Sequence, residues 1–130
     1  MKNCNQILLV TSHKDAEQIE LVLNKNNLAN SVVHKTNSQE AIEYLKQEQN
    51  TLPCCILLDI NLPQMDAFKF VKTLKADPAL KQLPIIALIS SETNGDVVQS
   101  AGLDIAGFIQ KPFAFKQFTE LIKKLGLPGF

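Results

Sequence analysis

No apolar run in this 130-residue sequence approaches the roughly 20 residues of a membrane-spanning helix. The opening stretch MKNCNQILLV also lacks the long apolar region and small-residue cleavage site of a secretory leader. A cytoplasmic chain with no membrane partner is expected. Charge of one sign is missing too, since thirteen basic residues balance thirteen acidic ones. No general field therefore draws nucleic acid or anionic lipid, and a docking protein is the expected kind of partner. Cysteine is sparse: Cys4 stands alone, and the neighbours Cys54 and Cys55 point to opposite faces of a strand. No spacing resembles a zinc site, so buried thiols acting as small apolar residues are expected. There is no linker, no low-complexity tract and no repeat beyond one strand–helix unit. With 45% hydrophobic and 20% charged residues, the chain is expected to form a single domain over residues 1–130.

What is present is a regular alternation. QILLV (6–10) is a short apolar run, and Ala16, Ile19, Val22 and Leu23 after it share one helical face. SVVHK (31–35) reads as a second strand, and Asn37 with Glu40 forms a capping-box pattern before a helix burying Ala41, Ile42 and Leu45. CCILLDI (54–60) is the third strand, and Phe68, Val71 and Leu74 mark its helix. The Asp77-Pro78 pair ends that helix before PIIALIS (84–90). A weaker fourth helix carries Val97, Val98 and Ala101 and stops at Gly102. GFIQ (107–110) closes the strands, and Phe115, Phe118, Leu121, Ile122 and Leu125 form the buried stripe of the last helix. Five such units predict a doubly wound α/β fold with a parallel sheet and right-handed crossovers. The first, third and fourth runs are almost wholly apolar, as central strands should be, which favours the order 2-1-3-4-5.

In open sheets of this kind ligands bind beyond the carboxyl ends of the strands, where the strand order reverses. The residues delivered there are Thr11, Ser12 and His13 after the first strand, Asp59 after the third, Ile89, Ser90 and Ser91 after the fourth, and Lys111 after the fifth. One carboxylate then faces one ammonium.

Asp59 at a strand end, Pro63 four residues on, PIIALIS and the closing Lys111-Pro112-Phe113 together resemble the receiver domain of bacterial two-component response regulators. The resemblance covers nearly the whole chain. It implies a flavodoxin-like (βα)5 fold and a phosphorelay signalling module rather than an enzyme. In such a module an aspartate accepts a phosphoryl group from a histidine kinase or phosphotransfer protein. Asp59 matches the phosphoacceptor and Lys111 the lysine that pairs with the phosphoryl group. It further implies a cis bond before Pro112, an aromatic switch position at Phe108, and output to a downstream protein through the face of the fourth helix, fifth strand and last helix. Gln110, Lys116, Lys123 and Lys124 belong to that face, and a second copy of the chain is a further possible partner.

The departures are specific. Receivers place two acidic residues directly after the first strand, where this chain has Thr11 and Ser12. With Asp59 as sole carboxylate the site charge is near zero, so no metal set is expected and weak magnesium binding at most. The family's hydroxyl on the fourth strand aligns with Ile89, and Ser90 could replace it only through a bulge or altered register. Ser91 has the right parity but lies further along. Ala67 replaces a frequent glycine, a mild change. The sequence therefore carries two readings, a phosphorylated receiver with a degraded metal site and switch, and a phosphorylation-independent interaction module. A flavin site would want a glycine in Thr11-Ser12-His13-Lys14, and an aspartate phosphatase a second acid at Asn61. His13 is a conceivable ligand or base, but His34 on an edge strand is expected away from the site.

Overall fold

The computed structural model describes residues 6–25, 31–47, 53–60, 67–89, 105–111 and 113–126. The strands are β1 (Gln6–Val10), β2 (Ser31–Lys35), β3 (Cys55–Asp59), β4 (Ile85–Ile89) and β5 (Gly107–Gln110). The helices are α1 (His13–Lys25), α2 (Ser38–Lys46), α3 (Ala67–Lys75) and α4 (Phe115–Lys124). All strands are parallel, in the order β2-β1-β3-β4-β5, as the sequence predicts. The fourth helix expected around Val97 and Val98, together with Pro63, Ser90, Ser91 and Pro112, lies outside the described residues.

Alternation along the strands divides the core between the two faces of the sheet. Ile7, Leu9, Leu57, Leu88 and Ile109 pack under α1 and α4, against Ile19, Phe118 and Ile122. Leu8, Val10, Ile56 and Leu58 turn the other way, towards Ala41, Leu45, Phe70 and Leu74 on α2 and α3. Both faces are covered, which is why β1, β3 and β4 are apolar almost throughout.

Local chemistry sets the helix ends. Asn37 caps α2 by accepting from the Glu40 backbone N–H at 2.9 Å. The expected box closes only on that side, because the Glu40 carboxylate accepts from Thr36 Oγ1 at 3.4 Å. Asp77 Oδ1 accepts from the Ala79 N–H at 2.9 Å and fixes the turn after α3. Gly107 opens β5 where a Cβ would come within 2.8 Å of the Leu121 side chain, so glycine lets α4 lie close on the sheet.

Two core assignments change. Phe68 is exposed, and Phe70 fills the core beside Val71 and Leu74, because the helix is phased to bury positions 70, 71 and 74. Of the cysteines expected to be buried thiols, Cys55 is one, whereas Cys54 is disulfide-bonded. Burial pushes the Cys55 thiol up to about 12. No described helix is long and apolar enough to cross a membrane.

Candidate functional site

Among the described residues the buried polar side chains are Thr11 and Asp59, and they touch. Strand parity brings them together. Thr11 continues the alternation of Ile7 and Leu9, Asp59 that of Cys55 and Leu57, and Lys111 that of Gly107 and Ile109, so all three leave the sheet on the α1/α4 face at its carboxyl edge. Thr11 Oγ1 donates to Asp59 Oδ2 at 2.8 Å, and Lys111 Nζ donates to the same oxygen at 2.6 Å. The backbone holds these ends in place: the Lys111 N–H donates to the Ile89 carbonyl at 2.7 Å and the Ile60 N–H to that of Leu88 at 3.3 Å.

A second carboxylate joins them, contrary to the expectation that Asp59 stands alone. Lys111 Nζ also donates to Asp15 Oδ2 at 2.9 Å. Asp15 reaches the site because α1 starts immediately after β1. Ser12 caps the helix, its Oγ accepting from the Asp15 N–H at 3.3 Å, which puts Asp15 in the first turn. A carboxylate there is also favoured by the helix dipole. Two carboxylates and one ammonium leave one net negative charge, not zero. Burial pushes the Lys111 ammonium down, but the hydrogen bonds to Asp59 and Asp15 and their charges outweigh it, so Lys111 titrates above the ordinary lysine value.

The two residues at the acidic-pair positions thus have separate tasks: Thr11 satisfies the buried carboxylate and Ser12 caps α1. The donor set does not fit a resident magnesium ion in this arrangement. A cation drawn to Asp15 and Asp59 meets the Lys111 ammonium already bonded to one oxygen of each. Among the described residues no three His, Cys, Asp or Glu side chains converge as a metal site.

His34 is not remote from this edge. β2 pairs with β1, with Leu9 opposite His34, and His34 Nε2 lies 2.8 Å from the Thr11 carbonyl. That contact requires the Nε2–H form, with the ring donating. The His13 and His34 rings meet edge to face at 5.2 Å.

Ile89 is fully buried and packs with Ala87, Ile60 and Ile105, on the face of the sheet opposite Asp59. Phe108 points outward with 38% of its surface exposed. With Gln110, Gln117, Leu121 and Lys124 it lines an open groove of about 350 Å³ between β5 and α4. Lys116 and Lys123 are exposed on the same helix.

Residues 6–123 match the family model described as the response regulator receiver domain. The response regulator Rcp1 of Synechocystis sp. is 28% identical over 129 residues, spanning 95% of this chain and 86% of Rcp1. Among solved structures, the bacteriophytochrome response regulator AtBRR is 31% identical with a TM-score of 0.83, covering 98% of this chain and 95% of its own. The phosphorylated cyanobacterial phytochrome response regulator RcpA is 30% identical with a TM-score of 0.72, over 95% of this chain and 91% of its own.

Proposed function

Because the chain belongs to the response regulator receiver domain family, we propose that it is a cytoplasmic phosphorelay module in which Asp59 accepts a phosphoryl group from a histidine kinase or phosphotransfer protein. The single observation that carries this reading is the buried Asp59 held by the Lys111 ammonium and the Thr11 hydroxyl at the carboxyl edge of the sheet. That a similar regulator, RcpA, has been solved phosphorylated supports it.

In the transfer an Asp59 carboxylate oxygen attacks phosphorus as the bond to the donor nitrogen breaks. The carboxylate becomes an acyl phosphate and loses its charge, while the phosphoryl group brings nearly two negative charges at neutral pH. Catalysis of such a step is mostly positioning and neutralisation of charge. Lys111 supplies the neutralisation by turning from the carboxylates to the phosphoryl oxygens, and Thr11 holds the acceptor's orientation. Asp15 opposes the change, because it competes with the new group for the same ammonium. Magnesium has no assigned part in this account and is expected to bind weakly.

Full burial of Asp59 and the clamped ammonium also favour a second reading, an interaction module whose output face works without phosphorylation. Mass spectrometry after treatment with an acyl phosphate separates the two. The first reading requires one added phosphoryl group on the peptide containing Asp59, absent in Asp59→Asn. An unmodified Asp59 peptide with both acyl phosphate and kinase as donors leaves only the second.

A further inference from the structure

Beside the site, between α1 and the ends of β4 and β5, lies a cavity of about 390 Å³ whose mouth shares Lys111 and Asp15 with the Asp59 site. Its floor is apolar: Ile19 from α1, Leu88 from β4, Ile109 from β5 and Phe113 after it are all core residues. Its rim is polar and cationic, with Lys14, Gln18 and Lys111, and Asp15 beside them. Asp15 is already bonded to Lys111. Lys14 is exposed and pairs with no carboxylate among the described residues. Lys111 is held by Asp15 and by Asp59 behind it, so Lys14 is the ammonium at the mouth that lacks a carboxylate.

The volume falls within the roughly 300–1,000 Å³ of small-molecule sites, which are mostly apolar with a few placed polar groups. We propose that this cavity binds a small monoanion with an apolar body, such as an aryl-alkyl or medium-chain carboxylate. The apolar part lies over Ile19, Ile109 and Phe113, and the acid group sits at Lys14 with the Gln18 amide beside it. A monoanion gives Lys14 a counter-charge, whereas a cation would be repelled by it. A neutral apolar molecule would leave Lys14 unmatched. Because the mouth shares Lys111 with Asp59 and Asp15, occupancy reaches the ammonium that holds the phosphoacceptor. Binding itself needs no phosphoryl group, so it is separable from the function proposed for Asp59.

The test is an amide NMR titration with phenylbutyrate, compared with phenylbutanol and phenylbutylamine. Expected are saturable shifts clustered at Gln18, Ile19, Ile109 and Lys111, with the alcohol and the amine each at least ~5-fold weaker. The same shifts persist in Asp59→Asn. Lys14→Gln weakens phenylbutyrate by a similar factor, and Gln18→Trp, which blocks the mouth from an exposed position, removes the response. Each variant's own spectrum reports its folding. The proposal is overturned by the absence of a saturable response to phenylbutyrate, by equal responses to the alcohol, or by shifts unchanged in folded Gln18→Trp and Lys14→Gln.

Discussion

Lys111 joins two carboxylates of unequal burial, and its variants should separate them. In Lys111→Met the fully buried Asp59 keeps the Thr11 hydroxyl but loses its cation, an arrangement expected to cost about 3 kcal/mol in urea unfolding. Asp15→Asn removes a half-exposed partner and should cost under ~1 kcal/mol. Because Lys111 titrates above its unfolded value of 10.5, its contribution is complete below that pH and is lost as pH rises through the folded value. The stability gap between wild type and Lys111→Met should therefore narrow in strongly alkaline solution and stay constant near neutrality. Asp15→Asn should also raise the extent of Asp59 phosphorylation under a fixed acyl phosphate dose, since it removes the competitor for the ammonium. A fall would show that Asp15 assists the transfer. Asp59 and Lys111 were legible in the sequence, because strand-end positions and a parallel sheet bring them to one rim. Asp15 was not, because its contact spans 96 residues and depends on how α1 docks beside β5. The one local trace was Ser12 three residues before it, a helix-start pattern that fixes Asp15 in the first turn. His34 was misplaced although the strand order was right, since that order sets β2 directly against β1.

At the scale of elements, the strands were legible because their apolar runs are short and bounded, and in β1, β3 and β4 buried almost throughout. QILLV, SVVHK and GFIQ coincide with β1, β2 and β5. The phase of α3 was not legible, since Phe68 and Phe70 both fit a helical stripe containing Val71 and Leu74, and only packing against the sheet chooses between them. Phe70→Ala should thus cost about 3–5 kcal/mol in chemical denaturation and Phe68→Ala close to nothing. The reverse result would put the helix in the other phase. Gly107→Ala places a Cβ against the tip of the Leu121 side chain, which must move aside, and a loss at the lower end of about 1–3 kcal/mol is expected. Trimming the neighbour as well, in Gly107→Ala with Leu121→Ala, should restore part of that loss beyond additivity.

Across the whole molecule, the site edge and the β5–α4 groove must communicate if phosphorylation is to change partner binding. A ligand shifts an equilibrium only by its differential affinity for the two states. Ile89 has no hydroxyl to offer a phosphoryl group and packs on the far face of the sheet, so little differential contact is expected from this position. Partner affinity through the groove should change less than ~3-fold in Asp59→Asn and more in Phe108→Ala or Lys116→Ala, measured by binding titration. A tenfold phosphodonor effect that vanishes in Asp59→Asn would show a working switch.

The role proposed for Lys111 is to neutralise Asp59 as phosphoacceptor in place of a bound cation. It is tested most directly by the initial rate of Asp59 phosphorylation by an acyl phosphate, with excess chelator and with magnesium at millimolar concentration. Rates within ~3-fold of each other are expected, with near-complete loss in Lys111→Met under both conditions. Stimulation by magnesium of ~10-fold or more, retained in Lys111→Met, would contradict it and assign the neutralising role to the metal.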